Sequence, residues 1–120
     1  MAFSVELNRP LLAAAAISGA LGVVAAAAGS HLASANLSLA GTFLQLHAPA
    51  LIGISLFGRL RFAAASGWVL IVGLLLFCGD LAAHALLGAS PLPIAAPLGG
   101  LALSAGWLLL AVAALFGKAR

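Results

Sequence analysis

Residues 11–31 read LLAAAAISGALGVVAAAAGSH, and no charge interrupts them. At ~1.5 Å per residue a helix of this length spans ~30 Å, the thickness of a bilayer's hydrocarbon core. Three further apolar segments match it: Leu37 to Phe57, Phe62 to Leu87 and Leu98 to Phe116. The breaks between them have the chemistry of connections. Ser34-Ala35-Asn36 is a short polar turn, Gly58-Arg59-Leu60-Arg61 a charged one, and Ala89-Ser90-Pro91-Leu92-Pro93 a segment whose prolines keep it from being helical. The pattern predicts an all-α membrane protein: a four-transmembrane-helix, up-down-up-down bundle forming a single integral membrane domain over residues 1–120.

Composition agrees. Of the 120 residues 65% are hydrophobic and 6% charged, with a mean hydropathy of +1.28, so the charges are too few to clothe a water-facing surface. The sequence pI of about 10.7 arises from five Lys/Arg against two acids rather than from a basic stripe interleaved with aromatics, which excludes nucleic acid as the main partner. A lone cysteine, Cys78, provides no disulfide framework and no thiolate cluster. With four crossings, Arg9, Arg59, Arg61, Lys118 and Arg120 all fall on one side, and the positive-inside rule then puts both termini in the cytoplasm. Met1 to Ala28 has some outline of a signal peptide, Arg9 followed by an apolar stretch with Ala-x-Ala sites. That stretch is longer than an ordinary signal core, so it is expected to remain as the first crossing.

Lipid is as apolar as leucine, so helices in a bilayer associate through close backbone approach and buried polar contacts. Small residues therefore mark candidate packing faces, within the bundle or against a partner. Ser18, Gly22, Ala26 and Ser30 recur every four residues along the first helix, with Ala15, Gly19 and Ala27 beside them. Gly100 and Ser104 repeat the spacing on the fourth, followed by Ala102 and Gly106. A composition rich in Ala and Gly generates such stripes easily, which is the plainer account of them.

Ionisable groups at membrane depth are costly and face interiors or cavities, which singles out His31, His47, Asp80 and His84. On helical geometry Asp80 lies ~27 Å above Phe62 and His31 ~32 Å above Pro10, both near the outer surface, while His47 lies ~12 Å down and nearer the midplane. Asp80 and His84 are four apart, on one face with Phe77 and Gly73. Three accounts are open. Asp80 and His84 pair with each other or with Ser, Gln and backbone groups; His31, Asp80 and His84 ligate a divalent metal; or His47 and a second histidine hold a haem b. The first is preferred, because interfacial depth makes the charges tolerable, and neither metal nor haem is predicted as a cofactor beyond contact with lipid. Pro49 removes the amide that would bond to the Gln45 carbonyl, next to His47. Trp107 lies deeper than the interfacial belt where Trp68 is expected, so its indole N–H should find a partner on the second or third helix. No phosphate loop and no nucleophile-base pair appears, and the longest connection, about ten residues, is too short to carry an enzymatic domain.

Several pieces together have a familiar cast: Ala16-Ile17-Ser18-Gly19-Ala20-Leu21-Gly22 and Ala28-Gly29-Ser30-His31, Leu46-His47-Ala48, Leu76-Phe77-Cys78-Gly79-Asp80-Leu81, and Ala96-Pro97-Leu98-Gly99-Gly100 with Gly106-Trp107. In order and spacing over residues 11 to 116 the chain resembles the YgdD-like small inner-membrane proteins, which carry the label domain of unknown function number 423 and are similar to the eukaryotic transmembrane protein 256. Pro-x-Gly-Gly followed by Gly-Trp is the most specific part. The chain departs from that pattern at Phe43-Leu44 with Gln45 shifted, at Pro49, and at Cys78 in place of a common serine. The resemblance implies four helices and a bacterial inner-membrane location, and directs attention to His31, His47, Asp80, Gly99, Gly100 and Trp107. It implies no activity.

Size and elimination lead to the expectation of a non-enzymatic protein, an accessory or stabilising subunit of a larger respiratory or photosynthetic membrane complex, docked through its small-residue faces. The alternative is a small transporter or binder of a metal ion, proton or lipophilic ligand using the outer His/Asp cluster. Self-association through the first helix is a third possibility.

Overall fold

The computed structural model describes residues 6–118, all-helical apart from turns; Arg120, the last of the five basic residues, lies outside them. Four helices follow in order: α1 (Arg9–His31), α2 (Ala35–Ser55), α3 (Ala63–Leu87) and α4 (Ala95–Phe116). All four are long and apolar enough to cross a membrane.

Their ends lie within two or three residues of the sequence expectation, and local chemistry explains the differences. Asn8 caps α1 by accepting the Leu11 N–H (3.0 Å), which starts the helix two residues early with Pro10 in its first turn, where a missing N–H costs nothing. Ser34 likewise caps α2 by accepting from Leu37 N–H (3.3 Å), so Ala35 and Asn36 are helical rather than part of the turn. Pro97 falls in the first turn of α4 and lets that helix begin at Ala95. Gly88 closes α3 with φ +75°, a left-handed conformation that suits a residue without Cβ, and its N–H donates to the His84 carbonyl.

The four helices pack as two hairpins side by side. α1 lies against α2, α3 against α4, and α2 joins the pairs to α3; α1 and α4 do not approach one another. The result is flattened, 53 × 26 × 18 Å. Asn8, the α2–α3 turn and Lys118 meet at one end: Asn8 N–H donates to the Ser55 carbonyl (2.9 Å) and Arg61 N–H to that of Lys118 (3.2 Å). That end carries Arg9, Arg59, Arg61 and Lys118 and is called the basic end below.

Each hairpin is drawn tight by glycines. In the first, a Cβ on Gly22 would meet Leu44 Cβ at 3.0 Å and one on Gly41 would meet the backbone nitrogen of Ala26 at 2.7 Å. In the second, Leu70, Leu103 and Phe77 settle over Gly106, Gly73 and Gly99. The packed face of α1 runs through Leu11, Ala15, Ser18, Gly22 and Gly29, with Ala26 partly buried beside it. Ser30, expected on this face, is exposed, and Gly29 takes its place against Ser38. The reason is geometric: a strict four-residue repeat drifts around a helix of 3.6 residues per turn, so a continuous contact alternates steps of three and four. On α4 the face within the bundle has the same mixed spacing, and the Gly100/Ser104 face points outward. Gly99, Leu103 and Gly106 are buried, whereas Gly100 has nothing opposite it within 4 Å and Ser104 is exposed, its hydroxyl donating to the Gly100 carbonyl of its own helix (3.0 Å).

Candidate functional site

Midway along the bundle, α2 presents Phe43 and His47 one turn apart on the face toward α3 and α4. His47 is 6% exposed. Its Nδ1 lies 2.7 Å from the Phe43 carbonyl oxygen and its Nε2 3.1 Å from Trp107 Nε1 of α4. A carbonyl only accepts and an indole N–H only donates, so the partners dictate the tautomer: Nδ1–H donates to Phe43 and the Nε2 lone pair accepts from Trp107. Both ring nitrogens are therefore engaged. Phe43 stacks on His47 (centroids 6.0 Å apart) and meets Phe77 of α3 at 4.5 Å, which closes an aromatic node across three helices. Trp107 itself is 44% exposed, so it is an edge residue that reaches inward with its N–H. Beside the node, Cys78 Sγ donates to the Ala40 carbonyl (3.6 Å), a further polar link between α3 and α2.

The residues near the other end do not converge. Among the described residues no three His, Cys, Asp or Glu side chains form a group able to hold a metal ion, and His31, Asp80 and His84 are not brought together in one. His31 is exposed at the end of α1. His84, also exposed, pairs through Nδ1 with Ser90 Oγ (3.0 Å) across the α3–α4 connection rather than with Asp80. Asp80 stands apart: its Oδ1 is buried and has no hydrogen-bond partner. It lines a cavity of about 150 Å³ with Leu76, Ala83, Pro91, Leu92 and Ala95. Ala95, the first residue of α4, lines the same cavity, yet no N–H reaches Oδ1.

A second, larger hollow of about 560 Å³ separates α1 from α3, with Leu37, Ala40 and Leu44 of α2 as its floor. Its walls are almost wholly apolar. The two hollows share Leu75 and Gly79 on α3.

Sequence reasoning missed Gly41 as a point of close backbone approach in the first hairpin and Phe43 as part of the node. Gly41 carried a usable signal, a helix-interior glycine three residues before a leucine on the same face. The groove had none, because it depends on how far α1 and α3 diverge.

Residues 18–100 match the model of a family described as a protein of unknown function (DUF423). No curated protein and no solved structure matches the chain.

Proposed function

The chain belongs to the DUF423 family, and from that premise we propose that this multi-pass membrane protein is a non-enzymatic accessory subunit, contributing its helices to a larger respiratory or photosynthetic assembly of the bacterial inner membrane. The observation that carries the reading is the outward face of α4. Gly100 and Ser104 lie one turn apart with nothing opposite Gly100, and the Ser104 hydroxyl is turned onto its own helix. A helix-interior glycine costs about 1 kcal/mol relative to alanine, and lipid gains nothing from the notch. A transmembrane helix of another subunit does, because small residues let two backbones approach closely. A second copy of this chain is the less suited occupant: the α1 stripe that could have paired copies is already filled by α2.

In this reading the basic end faces the cytoplasm, with both termini there. Extraction in mild detergent should bring down a partner chain in constant ratio, and Gly100→Leu should reduce that recovery at least tenfold while leaving the chain folded. Recovery of the wild-type chain alone at monomer mass would overturn it. Of the alternative, a binder of metal, proton or lipophilic ligand, the metal form finds no converging ligands among the described residues; Asp80 and the apolar groove support the lipophilic form.

A further inference from the structure

We propose that the groove between α1 and α3 holds an acyl chain of a phospholipid from the leaflet opposite the basic end, and that Asp80 selects a lipid with a primary-ammonium headgroup, a phosphatidylethanolamine. This is independent of what docks on α4.

Shape and lining speak for the chain. α1 and α3 touch near the basic end, where a Cβ on Gly67 would meet Leu11 Cδ2 at 2.7 Å, and separate beyond it. From Ala14 to Ala28 the α1 wall is ~21 Å long, more than the ~15 Å of hydrocarbon in one leaflet. Ala14, Ser18, Ala25 and Ala28 on that wall are too short to bridge the gap to α3, and Ile17, Leu21 and Val24 line it beside them. The two polar side chains in the lining are both committed, Ser18 Oγ to the Ala14 carbonyl (2.8 Å) and Cys78 Sγ to that of Ala40. Nothing there asks for a polar ligand. A lateral hollow of about 560 Å³ within a bilayer regains dispersion contact only when hydrocarbon enters it.

Charge speaks for the headgroup. The groove meets the Asp80 cavity at Leu75 and Gly79, and nothing stands within 4 Å of a Cβ on Gly79. Asp80 is seven residues, ~10 Å, below the end of α3, close to where the headgroup layer meets the hydrocarbon. Its buried Oδ1 lacks a donor, and a buried oxygen without one carries its full desolvation penalty. No Lys or Arg lies between Arg9 and Arg59 or between Arg61 and Lys118, so none stands at this end to donate. A primary ammonium supplies both opposite charge and N–H donors. A quaternary ammonium supplies charge without a donor, and a phosphoglycerol headgroup would bring a second negative charge.

The test is native mass spectrometry of the purified chain after reconstitution in equal parts phosphatidylethanolamine, phosphatidylcholine and phosphatidylglycerol. One retained phosphatidylethanolamine, preferred about tenfold over the other two, is expected. Asp80→Asn should abolish the preference while a lipid is still retained, and Ala25→Phe should abolish retention. Because the filled groove could impair folding, a benzophenone side chain in place of Val24 gives a separate readout and should cross-link to acyl chains. Equal retention of the three lipids by the wild-type chain, or cross-linking at position 24 to polypeptide alone, would overturn the proposal.

Discussion

His47 and Trp107 show what one buried hydrogen bond does in a bundle of this kind. The backbones of α2 and α4 stay apart, and the Trp107 indole reaches across to the Nε2 of His47 to tie them. Depth in the fourth helix marked Trp107 as an indole in need of a partner; which of the polar groups on two helices would meet it depended on helix rotation, which no spacing rule supplies. Trp107→Phe keeps the ring and removes the donor, leaving Nε2 unpaired. We expect it to destabilise the protein by about 1 kcal/mol in detergent unfolding followed by circular dichroism, in keeping with interhelical hydrogen bonds in membranes. In a His47→Phe background the same change should have almost no effect, since the bond is already gone. Asp80 illustrates the opposite case: its depth was legible, but that its oxygen would be enclosed and left without a donor is a property of the loop and the first turn of α4 folding over it.

At the level of the helix, glycines of identical sequence character divide into two groups. Gly41 and Gly99 sit where a neighbouring backbone passes, whereas Gly53 and Gly100 face open space. Gly41→Leu should separate α1 from α2 and destabilise the isolated chain by about 3 kcal/mol or more, because the atom it meets is main chain and cannot move aside. Gly100→Ala should instead stabilise the isolated chain by about 1 kcal/mol through helix propensity. The two variants, unfolded side by side, separate packing glycines from outward ones. The stripe on α1 was readable as small residues but not in its phase: Ser18, Gly22 and Ala26 belong to the contact, while Ser30 has rotated out of it and Gly29 in.

Across the whole molecule, two tight hairpins joined through α2 and α3 leave one seam between α1 and α3, closed near Leu11 and open beyond. Orientation belongs to this scale. Cysteines placed at position 59 and at position 90 should be labelled by a membrane-impermeant reagent from opposite faces. Replacing Arg59 and Arg61 by Ala and adding Lys at positions 34 and 90 should weaken or invert that pattern, since orientation follows Lys and Arg in short loops. Labelling of both positions from one face of the wild-type membrane would contradict four crossings.

What the sequence by itself determined is the number of helices, their ends to within a turn, and the gathering of the basic residues at one end. Each of these depends on one segment's own transfer into hydrocarbon or on a single cap or proline, so no knowledge of neighbours is needed. Tertiary structure alone decided which small residues are packed, that His47 and not another group accepts from Trp107, that His31, Asp80 and His84 stay apart, and that a groove opens beside α1. Lipid and protein interior are equally apolar, so hydropathy cannot mark the face a helix will bury; only the rotation and divergence of the packed helices can.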